Sequence, residues 1–117
     1  MNTPGIILIG MSGVGKSSVG KLLAKQLERP FVDTDKELCR LHHVGLRQLL
    51  DDLGDTAFMK AESDLFCDLD LDGKVVAPGG SIIYSEAAMA HARGAGAHII
   101  YLKNSLENIL LAVKNID

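Results

Sequence analysis

Short apolar runs alternate along the chain with longer segments in which apolar and polar residues follow a helical rhythm. The runs predict four strands, at residues 5–9, 31–33, 75–77 and 98–102, and glycine, proline or polar residues follow each one. Between the runs, apolar residues recur three or four positions apart, the spacing of a helix with one buried face. Strands that alternate with helices favour an α/β fold with a parallel sheet and right-handed crossovers.

The helices before and after the middle region have recognisable ends. The first begins near Lys16 and stops before Pro30. Its inner face is predicted to consist of Val19, Leu22, Leu23 and Leu27. Ser85 is predicted to cap a helix that follows the third strand, and Ser105 is predicted to cap the last helix of the chain.

The middle region, residues 35–69, is predicted to form helices that are separated near Gly45 and Gly54. Apolar residues at helical spacing predict one buried stripe in this region. The stripe consists of Phe58, Ala61, Leu65 and Leu69. The region therefore supplies helices rather than a further strand.

Composition and charge exclude several classes of protein. The chain has 117 residues, of which 47% are hydrophobic and 23% charged, so we expect residues 1–117 to form a single globular domain. The net charge of −3 provides no basic field to hold nucleic acid, and no apolar run approaches the length of a bilayer span. Cys39 and Cys67 lack metal or disulfide spacing, so we expect both to be buried, reduced thiols. We also expect a cytoplasmic protein that is a monomer and has no membrane partner.

Residues 10–17 carry a specific signal of nucleotide binding. Gly-Met-Ser-Gly-Val-Gly-Lys-Ser matches the Walker A pattern at every specified position, and it lies between a predicted buried strand and a predicted amphipathic helix. This context disfavours a glycine-rich turn that merely connects two elements. Backbone N–H groups and the helix N-terminus in such a loop bind phosphate oxygens. The predicted contacts to the phosphates of ATP are Met11, Ser12, Gly13, Val14, Gly15, Lys16, Ser17 and Ser18.

Two aspartates follow the second predicted strand, which in the usual strand order lies next to the phosphate loop. Asp33 and Asp35 suit two tasks: one carboxylate can hold the Mg²⁺ shell, and the other can orient or deprotonate an acceptor hydroxyl. An alternative interpretation is a helix N-cap, a favoured position for aspartate, and one residue can serve both purposes.

A glycine turn at residues 78–81 follows the third predicted strand. Paired glycines allow a ligand to approach the backbone closely, although a plain turn has the same composition. The phosphate loop, the aspartate pair and this turn all follow predicted strands. Ligands of parallel sheets bind beyond the carboxyl ends of the strands, so the three segments together predict one site.

Five segments, quoted in chain order, resemble the shikimate kinase family: GMSGVGKSSVGKLLAKQL, FVDTD, LLDDLGDTAFMKAE, VVAPGGSII and HIIYL. The resemblance covers essentially the whole chain. It implies a three-layer αβα P-loop NTPase fold of the nucleoside-monophosphate-kinase type, with a parallel sheet of about four strands. It also implies transfer of the γ-phosphoryl group of ATP, with Mg²⁺, to a hydroxyl of shikimate in aromatic amino acid biosynthesis.

The resemblance also implies roles for individual residues. Lys16 and Asp35 match catalytic residues of the family, and Ser17 and Asp33 match its contacts to Mg²⁺. The residues that match acceptor-binding positions are Asp35, Phe58, Gly79 and Gly80. Phe58 would form an apolar wall of the pocket, and the glycines match two of three in the acceptor-binding turn.

Some positions depart from the family pattern. Met59 replaces an Arg that clamps the shikimate carboxylate, and Lys60, one residue along a helix, points roughly 100° away. Pro78 replaces the first glycine of the turn and lacks its N–H donor. The family has a basic lid, another substrate Arg and a fifth strand beyond the last helix. Because the sequence stops at Asp117, we expect either a fragment of a longer protein or a reduced relative.

Two other functions remain open from the sequence. One is a kinase for another polyol or sugar acid, such as gluconate. The other is a kinase-like module that binds nucleotide without catalysis, which the replacement of the Arg by Met59 favours. The presence of the lysine, serine and aspartates of the predicted site favours catalysis.

Overall fold

The computed structural model describes residues 3–10, 16–80 and 82–102. The strands are β1 (Ile6–Ile9), β2 (Phe31–Asp33), β3 (Val75–Ala77) and β4 (His98–Tyr101). The helices are α1 (Lys16–Leu27), α2 (Thr34–His42), α3 (Leu46–Asp68) and α4 (Glu86–Gly94), with a short 3-10 helix at Ile82–Tyr84. Strands and helices therefore alternate as the apolar pattern predicts, and the helix predicted after Ser105 lies outside the described residues.

The described strands form one parallel sheet with the order β2-β3-β1-β4. Ile7 of β1 is in register with Val76 of β3 on one side and with Ile99 of β4 on the other. On the far side of β3, Asp33 of β2 is in register with Ala77. Since all strands run in the same direction, Gly10, Asp33 and Pro78 come to the same edge of the sheet.

Helices cover both faces of the sheet, which gives the predicted three layers. On one face, Ile6 and Leu8 of β1 pack with the inner side of α1. On the other face, Ile7 and Ile9 pack with the second half of α3 and with α4. Neighbouring residues of β1 point to opposite faces, so a strand that is covered on both sides needs a continuous apolar run.

The inner face of α1 differs from the prediction at two positions, because Leu22 is exposed and Leu27 is only half-buried. Val19, Gly20, Leu23 and Ala24 are the buried residues of the helix, whereas Leu22 is 36% exposed. The cause is the ring of Phe31, which lies against Gly20 so closely that a Cβ atom there would be 2.2 Å from Phe31 Cε1. The helix therefore turns its smallest residue toward β2, and Leu22 lies at the margin of the core.

The long helix α3 bends at Gly54, whose φ of 76° and ψ of 168° are not helical. The predicted break at this glycine is confirmed, and the first half of α3 packs with α2 in a separate cluster around Leu38, Leu49 and Phe58. The predicted stripe is wrong in detail. Phe58, Glu62 and Phe66 are the buried residues of the second half, whereas the other predicted members, Ala61, Leu65 and Leu69, are only half-buried.

Both cysteines are free thiols, but neither is fully buried as expected. Cys39 lies at the margin of the α2–α3 cluster, and Cys67 lies at the margin of the cluster beneath α3 and α4. Both side chains thus border a core instead of filling it. Within the described ranges, none of the helices has the length and apolar character that crossing a membrane requires.

Candidate active site

Lys16 connects the carboxyl ends of β1 and β3. It is the first residue of α1, and its Nζ donates hydrogen bonds to the carbonyl oxygens of Gly10, at 2.7 Å, and of Pro78, at 3.3 Å. The predicted phosphate contacts at residues 11–15 lie outside the described residues. Ser18, in the first turn of α1, is exposed.

The charge of Lys16 is balanced by nearby carboxylates. Partial burial lowers the pKa of Lys16 below its ordinary value, because desolvation disfavours the ammonium form. Asp35, Glu62 and Asp33 oppose this effect and favour the charged form. A lysine ammonium at a strand end can contact phosphate oxygens, and carboxylates beside it can contact a metal ion that those phosphates carry.

Ser17 and Asp33 form a hydroxyl–carboxylate pair. Ser17 Oγ donates to Asp33 Oδ2 at 2.7 Å, while Asp33 Oδ1 accepts from the backbone N–H of Lys36 at 3.2 Å. Asp33 is therefore both the N-cap of α2 and a neighbour of α1, as the two interpretations of the sequence together allow. The strand order differs from the simplest expectation, because β3 separates β2 from β1. Asp33 contacts the start of α1 through the hydrogen bond that it accepts from Ser17.

Asp35 lies in the first turn of α2 with one buried and unsatisfied oxygen. Within the described part of the chain, Asp35 Oδ1 is buried and has no hydrogen-bond partner. A buried acceptor without a donor is costly, and such groups in folded proteins require an explanation. A hydroxyl donor from a bound molecule would satisfy this oxygen. Lys16 lies nearby, since Asp35 opposes the lowering of the Lys16 pKa that burial causes.

The glycine turn is tied to the start of α2. Thr34 is fully buried, and its Oγ1 accepts a hydrogen bond from the backbone N–H of Gly79 at 3.3 Å. Gly79 is buried, whereas Gly80 is exposed at the same edge of the sheet as Gly10. The turn therefore borders the aspartates, as predicted, and Ser81 lies outside the described residues.

Glu62 is a buried acid that the sequence reasoning missed. Its side chain is completely buried on α3, and its carboxylate lies where a side chain of Gly79 would begin: a Cβ atom there would be 2.1 Å from Glu62 Oε2. Glu62 is also one of the carboxylates that oppose the lowering of the Lys16 pKa by burial. The available signal was its spacing, because an acid four residues from each of Phe58 and Phe66 lies on the buried stripe.

Phe58, the predicted wall of an acceptor pocket, has a large part in core packing. It is 8% exposed and belongs to the cluster with Leu38 and Leu49. A cavity of about 450 Å³ opens between the start of α2 and the start of α3. Its lining residues are Asp33, Asp35, Lys36, Cys39 and Leu46. The structure thus places Asp35 on this cavity, while the described lining does not include Phe58.

Ser17 and Asp33 offer oxygen atoms of the kind that Mg²⁺ binds. The hydroxyl and the carboxylate are already within hydrogen-bond distance of each other, so one ion could contact both. Only one carboxylate oxygen of Asp33 is used in capping α2. The described residues contain no cluster of three or more His, Cys, Asp or Glu side chains that could hold a metal.

A lysine and a serine–aspartate pair lie at the carboxyl edge of a parallel sheet, where P-loop proteins of this fold class bind nucleotide phosphates. The shikimate kinase family model matches residues 12–116, and the chain belongs to this family. The predicted family and fold class are therefore confirmed.

Curated relatives and solved structures agree with this assignment. The chain is 37% identical over 103 residues to the shikimate kinase of Pseudomonas syringae pv. syringae, covering 87% of this chain and 59% of the relative. It is 38% identical, with the same coverage, to the shikimate kinase of Pseudomonas entomophila. The chain thus spans about three fifths of the length of these relatives.

Two solved structures share the fold over most of this chain. A shikimate kinase from Acinetobacter baumannii, in complex with shikimate, aligns with a TM-score of 0.78 and 27% identity, covering 93% of this chain and 61% of that one. The shikimate kinase from Aquifex aeolicus aligns with a TM-score of 0.76 and 29% identity, covering 90% and 62%. Family membership rests on sequence and on fold together.

Proposed function

We propose that this protein transfers the γ-phosphoryl group of ATP to a hydroxyl of shikimate. The observation that carries the proposal is the buried, unsatisfied Oδ1 of Asp35, which lies beside Lys16 at the edge where β1 and β3 end. The unsatisfied carboxylate oxygen suits an acceptor hydroxyl, and the ammonium group suits a triphosphate. Membership of the shikimate kinase family supports the choice of reaction and acceptor.

Each residue has a separate task in the proposed reaction. The hydroxyl of the acceptor donates to Asp35, which takes its proton as the hydroxyl oxygen attacks the γ-phosphorus. The bond from that phosphorus to the β–γ bridging oxygen breaks, and ADP leaves. Lys16 stabilises the negative charge on the phosphate oxygens throughout. Ser17 and Asp33 would hold Mg²⁺, which when bound neutralises charge on the phosphates.

Asp35→Asn tests the role of the unsatisfied oxygen. The amide cannot take a proton, so shikimate-dependent release of ADP should fall by about 100-fold or more. The affinity for ATP, measured by titration calorimetry, should stay within about twofold, because Asp35 is assigned to the acceptor and not to the phosphates. An Asp35→Asn protein with unchanged turnover would refute the acid–base role.

Asp33→Asn is the matched variant for the metal contact. Asparagine caps helices about as well as aspartate, so α2 should keep its start and the protein its unfolding midpoint. Loss of the carboxylate charge should nevertheless weaken the binding of Mg²⁺-ATP and leave that of metal-free ATP unchanged. Equal affinity of both proteins for Mg²⁺-ATP would remove Asp33 from the metal site.

A comparison of acceptors separates the proposed reaction from its alternatives. ADP release should depend on shikimate and not on gluconate when both are supplied with ATP and Mg²⁺. ATP binding without turnover of either acceptor would favour the non-catalytic nucleotide-binding module. Dependence on gluconate would identify a sugar-acid kinase.

We also propose a single-domain, cytoplasmic monomer. Free thiols at Cys39 and Cys67 support a reducing compartment. Light scattering should report the mass of one chain, and urea should unfold residues 1–117 in one cooperative transition. Cell fractionation tests the location.

A further inference from the structure

The cavity beside Asp35 has one basic residue in its described lining. Lys36 follows Asp35 in α2, and both line the space of about 450 Å³ together with Asp33. The carboxylates make this space unfavourable for an acidic acceptor unless a cation offsets them. Lys36 is therefore the described lining residue that can attract an acid.

Residue 59 and the lysines at positions 60 and 16 do not supply a cation for an acidic acceptor. Met59 carries no charge and is 41% exposed. The ammonium of Lys60 lies 3.3 Å from Asp64 on the same helix, and the lysine side chain is 77% exposed. Lys16 donates to the carbonyl oxygens of Gly10 and Pro78 at the strand ends. The charge that an arginine at position 59 would supply must come from another element.

The start of α2 holds Lys36 beside a second cation. The backbone N–H of Lys36 donates to Asp33 Oδ1, which fixes the base of the side chain at the first turn. Lys21 of α1 is close enough that Lys36 is the main cause of a lowered pKa at Lys21. Lys21 is not among the described lining residues of the cavity, but a carboxylate bound to Lys36 would relieve the repulsion between the two ammonium groups.

We propose that Lys36 is the specificity-determining cation of the acceptor site, where it pairs with the carboxylate of an acidic acceptor whose hydroxyls bind Asp35. This inference rests on the proposed function and deepens it. It assigns to α2 the acid-binding contact that the family resemblance implies for position 59 of α3. The acceptor is thereby held between a carboxylate that binds its hydroxyl and an ammonium that binds its acid group.

The test compares shikimate with its methyl ester, which keeps the hydroxyls but has no charge. Each ligand is titrated into the 117-residue chain in the presence of ADP and Mg²⁺. Lys36→Met should weaken shikimate binding by about tenfold, a typical loss for a charge-assisted contact, and should change the affinity for the methyl ester by less than about twofold. Lys36→Arg should retain most of the preference for the acid, and added salt should reduce it.

Lys60→Met is the matched control, because it removes a lysine from α3 whose ammonium lies near Asp64. It should change neither affinity. An equal loss for both ligands in Lys36→Met would indicate a structural role and overturn the proposal, as would no loss for either.

The same measurements separate this inference from the proposed function. If the unmodified chain phosphorylates a neutral polyol and binds no acid, the kinase activity stands and the role of Lys36 is refuted. If the chain binds ADP and neither ligand, both the shikimate assignment and the role of Lys36 are refuted.

Discussion

The contact between Glu62 and Gly79 allows a quantitative prediction about the substitution Gly79→Ala. The new Cβ would lie 2.1 Å from Glu62 Oε2 and 2.6 Å from both Oε1 and Cδ. Carbon atoms normally contact each other at about 3.5–4.0 Å, so the whole carboxylate must move by more than about 1 Å. Glu62 is fully buried and has no solvent-exposed space to move into.

The expected cost of Gly79→Ala is about 1–2 kcal/mol. Overpacking a well-packed interior costs about 1–3 kcal/mol. Loss of glycine flexibility in the unfolded chain offsets this by about 0.4–1 kcal/mol, which is too little to reverse the sign.

Gly80→Ala is the matched control in the same turn. Its Cβ would lie 3.8 Å from Gly10 O, an ordinary contact distance. The free energy of unfolding should therefore stay the same or rise slightly. Urea unfolding followed by far-UV circular dichroism suits both variants, since the chain contains no tryptophan.

A double-mutant cycle identifies the cause of the loss. Glu62→Ala removes the three atoms that the new methyl group would meet, so Gly79→Ala should cost less than about 0.5 kcal/mol in that background. The coupling energy should then be about 1–3 kcal/mol. Equal stability of Gly79→Ala and Gly80→Ala, or a coupling near zero, would refute the reasoning.

Three further predictions concern packing, thiol chemistry and capping. Gly20→Ala should lower the free energy of unfolding by about 1 kcal/mol in urea, because the clash with Phe31 outweighs the better helix propensity of alanine. Burial raises the pKa of Cys39, and the nearby charge of Asp35 raises it further. Iodoacetamide should therefore modify this thiol more slowly at pH 8 than a free cysteine, and Asp35→Asn should speed the reaction. Ser85→Ala should cost about 1 kcal/mol and lower the melting temperature by several degrees, because Ser85 Oγ accepts the N–H of Ala88 at 3.1 Å.

Each of these predictions has a control. Gly94→Ala places a Cβ with nothing within 4 Å and should not destabilise the protein. A Cys67→Ser background leaves Cys39 as the thiol that reports the rate; a rate unchanged by Asp35→Asn would contradict the electrostatic argument. Ser63→Ala removes the 2.6 Å contact to Ser85 Oγ but keeps the cap, so it should cost less than Ser85→Ala.

Features that depend on neighbours in the chain could be predicted from the sequence. The four strands, the cap at Ser85 and the break at Gly54 were all located correctly, and the structure chooses Asp33 where the sequence left the cap open between Asp33 and Asp35. Periodicity, side-chain capping and glycine conformations act within one or two turns of the backbone, so a short window of residues determines them. The Walker A pattern is local in the same way, although most of its loop lies outside the described residues.

Features that depend on residues far apart in sequence were decided by the tertiary structure. Sheet order places β3 between β1 and β2, which brings Pro78 to Lys16 across 62 positions. Leu22 is exposed because Phe31 occupies the space beside Gly20. Glu62 is buried because Gly79 has no side chain to occupy the same volume. Because the interior is close-packed, only one group can occupy each part of it. A sequence pattern does not show which of two residues far apart in the chain occupies that volume.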